Sequence, residues 1–117
     1  MRQPPSIDAW GGGGFRVSGD WRPGSLLILD DVARPWSASV LADLTPEDFA
    51  PAFAATGVVE FVLLGTGLNP GLPPRAVRDA IRAAGLGLEF MSTEAAARSY
   101  NVLASEGRRM AAALLAV

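Results

Sequence analysis

The chain contains no cysteine, histidine or lysine, and all ten of its basic residues are arginine. Without cysteine there is no disulfide framework and no thiolate nucleophile. Without histidine the usual general base of hydrolytic triads is missing, and a zinc site built from Cys or His is excluded. An enzyme of this composition would depend on carboxylates, hydroxyls, arginine and backbone amides. We therefore predict no metal site, no cofactor and a non-catalytic role.

Length and charge restrict the class of protein further. A chain of 117 residues is the size of one domain, so residues 1–117 are predicted to form a single unit. Half of the residues are hydrophobic and 19% are charged, which favours a folded domain over a disordered segment. The net charge of −2 argues against nucleic-acid binding. No apolar run is long enough for membrane insertion and the N-terminus is unlike a signal peptide, so we expect a cytoplasmic location.

The pattern of the first third of the chain predicts short strands joined by turns. Residues 11–14 are four glycines, which form a flexible or tightly turned entry. Residues 15–17 alternate in polarity and precede a turn at Gly19, which predicts an N-terminal β-hairpin region. The apolar run of residues 25–30 is typical of a buried strand, and Pro35 in residues 33–37 indicates an edge strand.

Helices and strands alternate after this point. Thr45 followed by Pro46 begins a helix that ends at Gly57, with Phe49 and Phe53 facing the core. The β-branched run of residues 58–64 is interpreted as the central strand, with Glu60 as its polar interruption.

The second half continues the alternation. Pro74 opens a second helix that extends through Ala84, and residues 86–91 form a strand. Ser92 or Thr93 caps a third helix that reaches about Ser105. The tail of residues 108–117 suits either a helix, by its alanines, or a strand, by its short apolar run. This order predicts an α/β layered domain.

A glycine-rich loop is the strongest candidate for a binding site. Residues 65–71 follow the predicted central strand, at the end of the strand where α/β sheets place ligand crevices. Their glycines would let backbone amides approach an anion, next to a helix N-terminus. A structural turn between strand and helix is the alternative. The candidate ligand-binding residues are Gly65, Thr66, Gly67, Asn69, Arg75 and Arg78.

The two arginines of that set belong to one helical stripe. Arg75, Arg78 and Arg82 have the i, i+3 and i+7 spacing of neighbours on a helix surface. They would clamp a phosphate or carboxylate, or meet an acidic partner. The competing interpretation is the solvated face of an amphipathic helix.

Three other polar features of the sequence have either a functional or a structural interpretation. Glu60 would act as a general acid or base if its carboxylate were buried, which is the basis of a carboxylate-enzyme hypothesis. Asp30 and Asp31 are interpreted as turn formers. Asn101 lies within a predicted helix, where an amide needs tertiary hydrogen bonds, so we expect it to tie the helix to a neighbouring strand or loop while Tyr100 packs.

Several short sequence motifs together resemble those of a known family. Met91-Ser92-Thr93-Glu94-Ala95-Ala96, Tyr100-Asn101 and Glu106-Gly107-Arg108 follow one another, after the Gly65-Thr66-Gly67 loop. With the early glycine turn, the 25–30 strand and Trp36, they make essentially the whole chain similar to a family of small α/β domains of unknown function. That family includes the mitochondrial complex I assembly factor 3 and the adipogenesis-associated domain protein.

The resemblance carries expectations about fold and role. It implies one three-layer α/β domain with a mixed central sheet flanked by helices, and it makes the tail a strand. It implies no established enzymatic activity. The animal members are linked to complex I assembly through protein contacts, so we expect an unidentified protein partner for this chain. We also expect a bacterial protein that is a monomer or weak homodimer. Small-molecule or anion binding by the 65–71 loop with Arg75 and Arg78 is the alternative function.

Overall fold

A computed structural model describes residues 2–117, which form eight strands and three α-helices. The strands are β1 (Ile7–Gly11), β2 (Gly14–Val17), β3 (Asp20–Pro23), β4 (Ser25–Leu29), β5 (Val32–Trp36), β6 (Phe61–Gly65), β7 (Gly87–Met91) and β8 (Met110–Leu114). The helices are α1 (Ala50–Phe53), α2 (Arg75–Ala83) and α3 (Thr93–Ser105).

The main sheet has five strands in the order β5-β4-β8-β6-β7. Strand β8 runs parallel to β6 and antiparallel to β4, while β6 and β7 are parallel, so the sheet is mixed as expected. The expectation that β6 would be the central strand is wrong, because the tail takes that place. All five residues of β8 are buried. Burial on both faces of the sheet therefore overrides the helix preference of its alanines.

The N-terminal region forms a separate three-stranded antiparallel sheet in the order β1-β2-β3. The β2–β3 hairpin was predicted, whereas β1 was not. The glycines are a tight turn between β1 and β2: Gly12 and Gly13 have φ angles of 63° and 84°. Such positive φ angles suit glycine because it has no Cβ. A side chain on Gly14 would overlap the carbonyl of Arg22 on β3.

Two apolar clusters fill the space on either side of the main sheet. On one face, α1 and α2 cover a cluster that includes Leu27, Val62 and Ile81. On the other face, α3 and the N-terminal sheet cover a cluster that includes Phe15 and Leu63. Neighbouring residues of β6 enter opposite clusters, as the two-residue period of a strand requires. This confirms the three-layer α/β fold.

The predicted helix from Thr45 to Gly57 is only partly correct. The segment is a 3₁₀ turn, Pro46–Phe49, followed by the single turn of α1. The side chain of Asp48 accepts from the N–H of Thr45 at 2.8 Å, so the start is capped as expected. Pro51 explains the break, since it has no N–H to donate to a carbonyl four residues earlier.

The later elements agree closely with their sequence signals. Helix α3 begins after Ser92, whose hydroxyl accepts from the N–H of Ala95 at 3.3 Å. Helix α2 ends before Gly85, which has a φ of 79°. Asp30 and Asp31 have φ angles of 50° and 63°, which confirms them as the turn between β4 and β5.

Candidate functional site

The 65–71 loop leaves the carboxyl end of β6 and is held by hydrogen bonds to β7. The N–H of Thr66 donates to the carbonyl of Met91 at 2.8 Å. The Thr66 hydroxyl lies 2.7 Å from the carbonyl oxygen of Asn69 and 3.0 Å from that of Met91. Thr66 is buried, and its side chain therefore closes the loop on itself and anchors it to the end of β7.

Thr93, the first residue of α3, holds the other side of the loop. Its hydroxyl accepts from the N–H of Gly67 at 2.9 Å and donates to the carbonyl of Leu115 at 2.7 Å. Its N–H donates to the carbonyl of Gly67 at 2.9 Å. Thr93 is fully buried, so one side chain joins the loop, α3 and the segment after β8.

The backbone near Gly65 is shaped by packing. A Cβ on Gly65 would lie 2.8 Å from a methyl group of Leu114 and 3.0 Å from the Cα of Thr93. Because backbone cannot yield as a side chain end can, glycine is required here for close approach of β6 to α3. The N–H groups of Thr66 and Gly67 are engaged in the bonds described above. Internal contacts thus account for the first part of the loop.

The arginines next to the loop differ in their surroundings. Arg78 donates from Nε to the carbonyl of Pro73 at 3.1 Å, which ties α2 to the end of the loop. The side chain of Arg75 is 85% exposed, and its Nε lies 3.6 Å from a carboxylate oxygen of Asp79. This i, i+4 ion pair on the surface contributes only about a few tenths of a kcal/mol to the stability of the fold. Arg75 is therefore directed to solvent beside the loop, while Arg78 is partly covered.

Two leucines of the same segment face solvent. Leu68 is 82% exposed and Leu72 is 63% exposed, the highest values among the large apolar residues that the structure describes. Asn69 and Pro70 between them are also exposed. Sequence reasoning missed these leucines, although two leucines among glycines, prolines and asparagine, with no helical or strand periodicity, were a usable signal. The loop presents apolar side chains from a firmly held backbone.

Glu60 does not support a carboxylate enzyme. It lies just before β6 rather than inside the strand, and its side chain is 63% exposed. A carboxylate oxygen of Glu60 lies 3.8 Å from the Arg108 guanidinium. The hypothesis required a carboxylate buried away from water, whereas this one is exposed and lies next to an arginine. The catalytic hypothesis based on Glu60 is therefore wrong. In residues 2–117, no group of three or more acidic side chains is arranged to hold a metal ion.

Asn101 and Tyr100 have the structural role that their position predicted. The side chain of Asn101 accepts from the N–H of Ile7 at 2.9 Å and donates to the carbonyl of Ile7 at 2.8 Å. The hydroxyl of Tyr100 donates to the carbonyl of Pro5 at 2.8 Å. Burial raises the pKa of Tyr100 above its ordinary value, so the phenol remains protonated as a donor. Together the two residues attach the N-terminal segment to α3.

The fold and the loop define a class of small α/β domain in which a mixed sheet carries a second, three-stranded sheet on one face. The chain belongs to the family described as "Protein of unknown function (DUF498/DUF598)", which matches residues 7–115. The resemblance drawn from the residues is thereby confirmed.

Relatives in sequence come from bacteria and from animals. An uncharacterized protein of Rhodobacter capsulatus is 41% identical over 109 residues, covering 93% of this chain and 82% of that protein. The NADH dehydrogenase [ubiquinone] 1 alpha subcomplex assembly factor 3 of Bos taurus is 32% identical over 110 residues, covering 93% of this chain. The matched region spans only 59% of that assembly factor.

Solved structures share the fold over nearly the whole chain. An outer membrane protein from Bartonella henselae has a TM-score of 0.89 at 33% identity, covering 97% of this chain and 96% of that one. A Bordetella pertussis protein described as a Mth938-like domain has a TM-score of 0.79 at 26% identity, covering 98% and 90%. In the part of the chain that is described here, no helix has the length and apolar character needed to span a bilayer.

Proposed function

We propose that this domain is non-catalytic and acts by binding another protein through the loop that carries Leu68 and Leu72. The observation that carries the proposal is the exposure of these two leucines next to a backbone that the hydroxyls of the buried Thr66 and Thr93 hold at Asn69 and Gly67. Exposed apolar side chains on a preordered loop bind with a small loss of conformational entropy. The name of the related animal assembly factor supports a role in protein contacts.

The proposal is tested by co-purification from cells of the source organism. A Leu68→Ser/Leu72→Ser variant is compared with the wild type by quantitative mass spectrometry. A Val32→Ser/Val58→Ser variant is the matched control, since these two residues are exposed elsewhere on the surface. We expect the partner to be lost from the leucine variant and retained by the control. Equal recovery of every protein by both variants would contradict the proposal.

A second candidate function is the binding of a small anion by the same loop. The exposure of Arg75 at the first turn of α2, the helix that follows the loop and also carries Arg78, supports it. Thermal-shift measurements with inorganic phosphate, nucleotides and carboxylates test this function. If none raises the melting temperature of the wild type, or if Arg75→Ala with Arg78→Ala leaves such a shift unchanged, anion binding is rejected.

The remaining expectations from sequence stay predictions. A cytoplasmic location is one of them, and fractionation of the source organism's cells tests it. A monomer or weak homodimer is another, and sedimentation measurements over a range of concentrations test it.

A further inference from the structure

Strand β7 is an edge of the main sheet, and its hydrogen-bonding directions can be assigned. The N–H of Gly87 donates to the carbonyl of Glu60 at 3.2 Å, and the carbonyl of Met91 accepts from Thr66 at 2.8 Å. In a parallel pair, alternate residues bond to the same neighbour. Gly87, Glu89 and Met91 therefore bond toward β6, and the intervening Leu88 and Phe90 direct their N–H and C=O groups away from the sheet.

These outward groups have no hydrogen-bond partner within residues 2–117. No strand lies beyond β7 in the sheet order, and within residues 2–117 the backbone of Leu88 and Phe90 forms no hydrogen bond to another element. Two donors and two acceptors thus form a free edge. Proline on an edge strand would remove such donors, as Pro35 does on β5, but β7 contains none.

A groove of about 370 Å³ runs beside this edge, between β7 and α3. Glu89 contributes from the strand, and Arg98, Ser99, Val102 and Leu103 contribute from the helix. Val102 is 57% exposed, and Phe90 on the opposite face of β7 is 38% exposed. A strand added to β7 would direct alternate side chains into the groove and past Phe90. The edge and the groove together have the form of a site for β-strand addition.

Charge distinguishes between two occupants of this edge. A second copy could pair antiparallel through Leu88 and Phe90, and the register that uses both residues of each copy sets Glu89 opposite Glu89. Like charges directly opposite each other destabilise a strand pair. Arg98 does not neutralise Glu89 within the chain, since its guanidinium lies 3.8 Å from Glu94 and 5.2 Å from the ring centre of Trp10. A strand with a basic residue opposite Glu89 complements the edge.

We propose that β7 accepts an extended segment of a partner protein as a sixth strand. An apolar side chain of the segment packs over Val102 and Leu103, and a basic side chain lies opposite Glu89. The proposal rests on the protein-binding function above and specifies the chemistry of the partner. The 65–71 loop is attached to the same strand, because the N–H of Thr66 donates to the carbonyl of Met91, the last residue of β7.

The test uses the full chain and a phage-displayed library of random ten-residue linear peptides. Selected peptides are synthesised, and their affinities are measured for the wild type and for variants. Phe90→Pro removes an outward backbone N–H donor. Val102→Asp places a charge at the groove without altering the core. Val32→Asp, on β5, is the control. We expect strand-like peptides with alternating apolar residues and a basic residue. Their affinity should fall at least tenfold for the first two variants, because each loses a contact that the complex needs, and not for the control.

Amide hydrogen exchange gives a second readout that does not depend on a proline variant folding. Bound peptide should slow exchange at Leu88 and Phe90 at least tenfold, whereas exchange at Glu89, which bonds to β6, should be unchanged. The proposal is overturned if no selected peptide binds, if Val102→Asp binds as the wild type does, or if Leu88 and Phe90 exchange at the same rate in both states. A wild-type dimer that Phe90→Pro abolishes would instead identify a second copy as the occupant. The protein-binding proposal survives these failures if Leu68→Ser/Leu72→Ser still loses its partner.

Discussion

Single polar residues connect segments of this chain that are far apart in sequence. Thr93 joins the loop after β6 to α3 and to the segment after β8, and Asn101 joins α3 to β1. Each is buried or half-buried and has its hydrogen bonds satisfied, which is the condition under which a polar group is tolerated inside a protein. Removing one partner leaves buried backbone groups unpaired, so these positions should be sensitive to substitution.

Asn101→Ala should lower the free energy of unfolding by about 1–3 kcal/mol, because it leaves the N–H and C=O of Ile7 without partners. The neighbouring Val102→Ala is the control, since Val102 is exposed on the same helix. Its effect should stay within about 0.5 kcal/mol. Urea denaturation measures both. Equal destabilisation by the two substitutions would contradict the assigned role of Asn101.

Tyr100 should make stability fall at alkaline pH. Its pKa is raised in the folded state by burial, so the stabilisation is complete below about pH 10, the ordinary value, and is lost as the pH rises above it. Because the chain has no lysine or cysteine and one tyrosine, this side chain dominates that window. Unfolding free energies and tyrosinate absorbance should show the loss in the wild type, and Tyr100→Phe should flatten it. A phenol that titrates at its ordinary pKa without unfolding would refute the effect.

Individual elements were predictable where their signals are local. The boundaries of α2 and α3 follow from Pro74, Ser92 and the glycines that end them, because caps depend on neighbouring residues. The break at Pro51 has an equally local cause, and it was overlooked. The placement of β8 at the centre of the sheet is different. Pairing between β8 and β4 joins residues more than eighty positions apart in the chain, and no local pattern encodes such a partner.

The sequence predicts the position of the candidate site, whereas the exposure of its two leucines is a finding of the structure. The sequence placed a loop at the carboxyl end of β6 and arginines on the next helix, and both are there. The backbone at Gly67, next to the exposed Leu68, is held by Thr93, which lies 26 residues away on another element. This hydrogen bond comes from another element, so the loop's own sequence does not show that its backbone is held there.

Thr93→Val tests whether α3 holds the loop. Valine has the same shape but no hydroxyl, so the N–H of Gly67 and the carbonyl of Leu115 lose their partner. We expect a loss of about 1–3 kcal/mol in unfolding free energy and faster amide exchange at Gly67. Thr56→Val, at an exposed position, is the matched control. Unchanged exchange at Gly67 would show that the loop is held without Thr93.

At the scale of the molecule, the amino-acid composition contains few of the common catalytic groups, and the surface carries features suited to binding. The chain has no Lys, His or Cys, and the side chain of Glu60, the carboxylate considered for catalysis, is exposed. The surface instead combines a rigid loop with two exposed leucines and the free edge of β7, which are joined where Thr66 bonds to Met91. Both features are suited to recognition of another polypeptide.

The proposed function requires that Leu68 lies in a protein interface, and site-specific photocrosslinking measures this directly. A photoreactive amino acid replaces Leu68 in cells of the source organism, and the same residue replaces Val32 on the opposite side of the sheet order as a control. We expect a discrete crosslinked protein from position 68 that is absent from position 32 and is lost when Leu72→Ser is added. No crosslink at position 68, or the same products from both positions, would contradict it.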